Sequence, residues 1–145
     1  MPINSRQKGA RNERAFSAFL KERGIDARRG TQFSGSPDSP DVIADHPGFH
    51  VEVKAVEKLN VETAMMQALR DAGDTKLAYV AHKRNGTPWR TTCDAETFIG
   101  LLRLVRYLNC TWYRDIHGHI RFEPGVTSDF LTELARNGGD TSAGV

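Results

Sequence analysis

The stretch SPDSPDVIADHPGFHVEVK, Ser36 to Lys54, decides how the chain is read. Phe49, Val51 and Val53 alternate with His50, Glu52 and Lys54, the period of two that predicts a strand. The row opposite the valines bears an acid and an ammonium, and buried charges are costly without partners. Asp41 to Asp45 predicts a second short strand around Val42-Ile43-Ala44, and Asp45-His46-Pro47-Gly48 predicts the turn that returns the chain. Asp41 is thereby expected beside Glu52. Two carboxylates held on adjacent strands suit a hard, oxygen-seeking cation such as Mg²⁺. Lys54 can then hold or polarise a water next to that ion. Of the two Ser-Pro-Asp triplets, the second is the better candidate. Asp38 lies in a loop between prolines, whereas Asp41 leads straight into the strand that fixes it.

Upstream, Asn4 to Gly24 predicts a helix with Phe16, Phe19 and Leu20 as its apolar stripe and Gly24 as its stop. Glu13 falls on that stripe, and an acid that breaks the pattern points to a functional site. A helix-edge glutamate paired with Arg11 or Arg14 explains Glu13 equally well when it is taken alone. Beside Asp41, Glu52 and Lys54, it becomes a third candidate carboxylate. Ile25 to Arg29 predicts a short strand, and GTQFSGSPDSP a loop.

Downstream, Asn60 to Gly73 predicts a helix capped by Asn60, with Val61, Ala64, Met65, Ala68 and Leu69 inward. Lys76 to His82 is almost continuously apolar, as a central strand would be. Arg84 to Pro88 turns the chain, Trp89 to Thr92 returns as a strand, and Asp94 caps a helix to about Leu108. The expected fold is α/β, a central mixed sheet flanked by helices, opening in αβββαβ order. Residues 1–108 form the expected domain. Residues 109–145 form an extension with a hairpin from Thr111 to Phe122, a short helix from Ser128 to Arg136 and a disordered tail.

Glu13, then Pro40-Asp41, then Glu52-Val53-Lys54 resemble the signature of the PD-(D/E)xK nucleases. The closer resemblance is to the archaeal-type Holliday junction resolvases and their phage relatives, carried by GARNERAF, SGS, PDVIA and VEVK, with Gln67 in AMMQALRDAG. It spans about Lys8 to Phe98. The resemblance implies a restriction-endonuclease-like core and a Mg²⁺-dependent DNA endonuclease, with Mn²⁺ able to substitute. It implies that Asp41, Glu52 and the main-chain carbonyl of Val53 bind the ion and that Glu13 completes the shell. Lys54 would orient the attacking water, and Gln67 would support Lys54 or a phosphate. Ser34 matches a serine of the resolvase group, although a Gly/Ser loop accounts for it without chemistry. The implied substrate is branched DNA, above all a four-way junction, cut by a homodimer. Two other expectations stand beside this one: a phage or mobile-element nicking or restriction-like nuclease of the same fold, and a DNA-binding module with a dead site. The intact Glu13, Asp41, Glu52 and Lys54 set argues against the dead site.

Composition sets bounds on these readings. At 145 residues and 16.1 kDa, with 39% hydrophobic and 26% charged residues, the chain has the make-up of an ordinary globular domain. No apolar run approaches a membrane span, and the basic N-terminus has no apolar segment behind it. Cys93 and Cys110 form no disulfide framework, so a cytoplasmic setting, in a bacterial or phage-infected cell, is expected. Neither a P-loop nor GxGxxG occurs, so no nucleotide cofactor is expected. His82, His117 and His119 have no zinc-ligand spacing with the cysteines. Net charge is only +2, but basic residues gather in two places. Arg6, Lys8, Arg11, Arg14 and Arg29 near the N-terminus, and Lys83 and Arg84 at the Asn85-Gly86 turn, are the candidate phosphate contacts. Trp89, next to that turn, is expected to pack, with stacking on an exposed base as the other option.

Overall fold

The structure is a computed structural model that describes residues 5–30, 40–46 and 48–123. Ser34, Asp38 and the expected helix and tail beyond Glu123 lie outside the described residues. The chain forms two compact units, Met1–Phe98 and Ile99–Val145.

Within the first unit the order is α1 (Ser5–Lys21), β1 (Ala27–Arg29), β2 (Val42–Ala44), β3 (Phe49–Ala55), α2 (Val61–Ala72), β4 (Leu77–Lys83) and β5 (Arg90–Thr92). A mixed sheet of order β3-β4-β5 forms the centre, with β3 and β4 parallel and β5 antiparallel to β4. The apolar run of β4 is therefore its middle strand, as such a composition requires. Strand parity divides the core into two layers. Val51, Val53 and Ala81 pack with Phe16 and Leu20 of α1, together with Ala27 and Val42. Ala78 and Val80 face the other way and pack with Ala64, Met65, Ala68 and Ala72 of α2.

Each helix stops where its sequence says it should. Gly24 takes φ +84°, and the Ile25 N–H reaches back to the Leu20 carbonyl at 3.1 Å, closing α1. Asn60 accepts the Thr63 N–H at 3.0 Å and starts α2, a cap worth about 1 kcal/mol. The buried face of α2 matches the expected one at Ala64, Met65 and Ala68, but Val61 and Leu69 are exposed and Ala72 is buried as well. Small side chains let the helix backbone come close, and the two larger residues fall outside the contact.

The pairing of β2 also differs from expectation. Its ladder is with β1, in the register Ala27↔Ala44 to Arg29↔Val42, and not with β3. Asp41, one residue before β2, still reaches β3. Its N–H donates to the Val51 carbonyl at 3.0 Å. Trp89 packs on Phe16, ring centroids 5.0 Å apart, with the Lys83 ammonium 4.6 Å from the indole centroid. Packing is its role.

The helix α3 (Ala95–Tyr107) starts at Asp94, whose carboxylate accepts both the N–H and the hydroxyl of Thr97 at 2.8 Å. In the second unit a hairpin joins β6 (Thr111–Arg114) to β7 (Ile120–Glu123). Asp115 pins its turn by accepting the N–H groups of His117 and His119, each at 2.9 Å, and Gly118 supplies φ +77°. Among the described residues no helix is long and apolar enough to cross a membrane.

Among the described glycines, Gly30 is the most tightly enclosed. Its N–H donates to the Asp41 carbonyl at 2.8 Å, and a Cβ placed there would lie 2.0 Å from the Pro40 carbonyl oxygen. Backbone atoms on both sides leave no soft way to relieve that overlap. Gly30→Ala is expected to lower unfolding free energy by about 1–3 kcal/mol, measured by urea denaturation. A wild-type midpoint would show that the β1–β2 end is looser than drawn.

Candidate functional site

A cavity of about 510 Å³ opens at the junction of α1, β3 and α2, lined among others by Lys8, Glu13, Asp41, Glu52, Lys54 and Gln67. The fold brings these residues from four separate elements. Glu13 comes from the third turn of α1, and Asp41 from the residue that leads into β2. Glu52 and Lys54 lie on the α2-facing row of β3, and Gln67 comes from α2. Val53 also lines the cavity, and its N–H donates to Asp41 Oδ2 at 2.8 Å. That bond and the Asp41 N–H to Val51 tie the acid to β3 at two points.

Glu13, Glu52 and Lys54 are each held by an ion pair. Glu52 is 5% exposed and meets the Lys54 ammonium at 2.5 Å. Lys54 in turn donates to the Gln67 side-chain oxygen at 3.4 Å. Gln67 therefore faces inward to Lys54. Glu13 is held by an ion pair with Arg29, not with Arg11 or Arg14. Arg29 was a candidate phosphate contact, and its guanidinium is instead turned to Glu13. The strand β1 sits against α1, and its parity sends Arg29 toward the helix.

Asp41 shows what this crowding does. Its carboxyl is pushed up from 3.8 to about 6, chiefly by burial and next by the negative charge of Glu52. Glu13 adds to the rise, while the Val53 N–H and the Lys54 ammonium oppose it.

The other candidate phosphate contacts take varied positions. Lys8 lines the cavity, and Arg6, Arg11 and Arg14 are exposed on α1. Lys83 lies over Trp89, and Arg84 is exposed at the turn that Thr87 closes by accepting its N–H at 3.0 Å. Sequence reasoning passed over two side chains next to Glu52. Among the described residues, the closest-knit set of possible metal ligands is His50, Glu52 and Asp71, with one ligand atom of each all within 4.8 Å of one another. His50 was visible by parity, two residues before Glu52 on the same row. Asp71 was visible only as the residue four after Gln67 on a helix whose buried face the sequence read only in part.

A family model described as "Archaeal holliday junction resolvase (hjc)" matches residues 4–93. Among solved structures, the chain is similar to Hjc of Archaeoglobus fulgidus, a Holliday junction resolvase from an archaeal hyperthermophile. The two are 29% identical, with a TM-score of 0.41, over 59% of this chain and 72% of that one. No curated protein matches. The family match takes in α1, both short strands, the central sheet and every cavity residue named above, and the chain belongs to the archaeal Holliday junction resolvase family.

Proposed function

We propose that this protein is a Mg²⁺-dependent, structure-selective DNA endonuclease that resolves four-way junctions. One observation carries the reading: in a chain of the resolvase family, Glu13, Asp41, Glu52 and Lys54 line one cavity. The donor set fits a divalent metal. It is all oxygen and it is hard, and Asp41, raised chiefly by burial and next by the charge of Glu52, is a carboxylate that a cation would stabilise in its ionised form. Asp41, Glu52, the Val53 carbonyl and Glu13 would hold Mg²⁺, with Mn²⁺ as a substitute. When bound, the ion supplies a Lewis acid that lowers the pKa of water and offsets charge on phosphorus.

The chain's own groups do the rest. Lys54 exchanges part of its contact with Glu52 for the attacking water and for the charge that builds on the phosphate. Gln67 limits where Lys54 can go, and Arg29 fixes Glu13. The water oxygen bonds to phosphorus and the bond to the 3′ oxygen breaks, leaving a 3′ hydroxyl and a 5′ phosphate. Lys8, beside the cavity, and Arg6, Arg11, Arg14 and Arg84, on exposed surfaces, would grip the flanking phosphates. The catalytic domain expected over residues 1–108 contains all of these groups.

Paired nicks need two copies, and a two-fold symmetric dimer supplies them. The sequence of α3 supports a dimer surface there. Phe98, Leu102 and Leu104 are each more than half exposed, and Thr97 is its only buried residue. A helix apolar on so many sides calls for cover.

Three experiments test this reading. Cleavage of synthetic four-way junctions, flaps and linear duplexes in Mg²⁺ should give symmetric paired nicks confined to the junction, and Lys54→Ala should lower the rate by a factor of roughly 10²–10⁴. Equal cutting of all three substrates would favour a general nuclease of the same fold, and binding without cutting a dead module.

The second test uses pH. Between about pH 4 and 6 the folded protein keeps a proton on Asp41 that the unfolded chain has shed. Metal-free stability therefore falls as pH rises through that window, by at most about 3 kcal/mol. Mg²⁺ competes with that proton. It should raise the melting temperature clearly at pH 8 and little at pH 5, and Asp41→Asn should be more stable than wild type without metal at pH 8 but lose the Mg²⁺ effect. Equal Mg²⁺ shifts at both pH values would count against Asp41 as a ligand.

In the third, Leu102→Glu should convert a dimer into a monomer in sedimentation velocity. An unchanged dimer would place the interface elsewhere.

A further inference from the structure

Glu52 has two surroundings. On the cavity side it meets Lys54. Behind it lie two side chains that line no part of the cavity. His50 shares its row on β3 and is fully buried. Asp71 lies one helical turn beyond Gln67 on α2, with its side chain 11% exposed and the neighbouring Arg70 Nε 3.4 Å away. The layer around them is otherwise small and apolar: Ala64, Ala68, Ala72, Ala78 and Val80. An imidazole and a carboxylate placed in an alanine layer carry a desolvation cost that apolar side chains at both positions would avoid. What they gain is Glu52, since one ligand atom from each of the three lies within 4.8 Å of the others.

We propose that His50 and Asp71 are positioning residues, a buried brace that fixes the Glu52 carboxylate against the back of the cavity. The proposal rests on the reading of that cavity as a metal-dependent nuclease site. The division of labour follows from chemistry. Both carboxylates accept and the imidazole is the group of the three able to donate, so at separations within 4.8 Å the N–H edge of His50 favours the Glu52 rotamer turned toward it. Asp71 orients the ring, in the way outer carboxylates orient histidines at metal sites. Lys54 is then free to leave Glu52 for water without the carboxylate swinging after it. The helix α2 thus serves the site twice, with Gln67 on the ammonium and Asp71 behind the acid.

The test is Mn²⁺ binding to the full chain by calorimetry, read beside four-way-junction affinity in metal-free buffer and thermal melts. His50→Asn and Asp71→Asn are each expected to weaken Mn²⁺ by about 10–100-fold while leaving metal-free junction affinity at the wild-type value. Asp71→Glu keeps the charge and displaces it, so it is expected to weaken Mn²⁺ as Asp71→Asn does. Wild-type Mn²⁺ affinity in Asp71→Glu would reduce Asp71 to a distant charge and overturn the brace. So would wild-type affinity in both Asn variants. A second Mn²⁺ equivalent that vanishes with His50→Asn would also overturn it, by making the cluster a cation site of its own. Should His50→Asn fail to fold, the two Asp71 variants decide. Glu52→Gln separates this proposal from its parent. Lost Mn²⁺ binding there with intact binding in the His50 and Asp71 variants sinks only the brace. Retained binding in Glu52→Gln sinks the metal site itself, and the brace with it.

Discussion

The site depends on one short connection between strands that share no ladder. Asp41 gives its N–H to the Val51 carbonyl and takes the Val53 N–H on its carboxylate. A hydrogen bond to a charged acceptor contributes about 1.5–3 kcal/mol. The geometric effect matters more. The acid is fixed relative to β3 by two bonds on alternate residues, so its position is set by the backbone and not by a flexible side chain. Glu52, between those two residues, points to the opposite face of β3 from Val51 and Val53. The chain uses the pleat to place one carboxylate by backbone contact and the other by side-chain direction.

This arrangement has an electrostatic consequence. Three acids from distant parts of the sequence share one cavity, and each is balanced differently: Glu13 by an ion pair with Arg29, Glu52 by one with Lys54, and Asp41 by the Val53 N–H with the Lys54 ammonium nearby. Asp41 has no ion-pair contact of its own, and burial followed by the charge of Glu52 raises its carboxyl. The two guanidinium and ammonium partners come from strands, β1 and β3, that the fold holds regardless of ligand. Arg29 and Lys54, the basic groups nearest the acids, are thus engaged within the site, while Arg6, Arg11 and Arg14 lie exposed on α1.

Much of this was legible in the sequence. Strict alternation from Phe49 to Lys54, the apolar run from Leu77 and the caps at Asn60 and Asp94 fixed the central elements within a residue or two. Those signals are local, and local signals survive folding. The misreadings concern relations between elements. Proximity in sequence suggested that β2 pairs with β3, but its short ladder is satisfied by β1. A tally of apolar residues put Val61 and Leu69 inward, but close approach to the sheet favours alanine, which such a tally undervalues. Arg29 read as a phosphate contact because charge composition carries no direction. His50 was placed on the Glu52 row but given no role, because a strand histidine looks ordinary until the helix above it is placed, and Asp71 lay on that helix.

The contact between Gly30 and Asp41 separates two design problems. Because the carbonyl of Asp41 is clasped by the Gly30 N–H, both ends of the segment 31–39 are anchored whatever lies between them. Closing a longer loop costs only about 0.6 kcal/mol per doubling of length. Insertions or replacements between residues 30 and 40 could therefore be accepted across this clasp while Asp41 keeps its place beside β3.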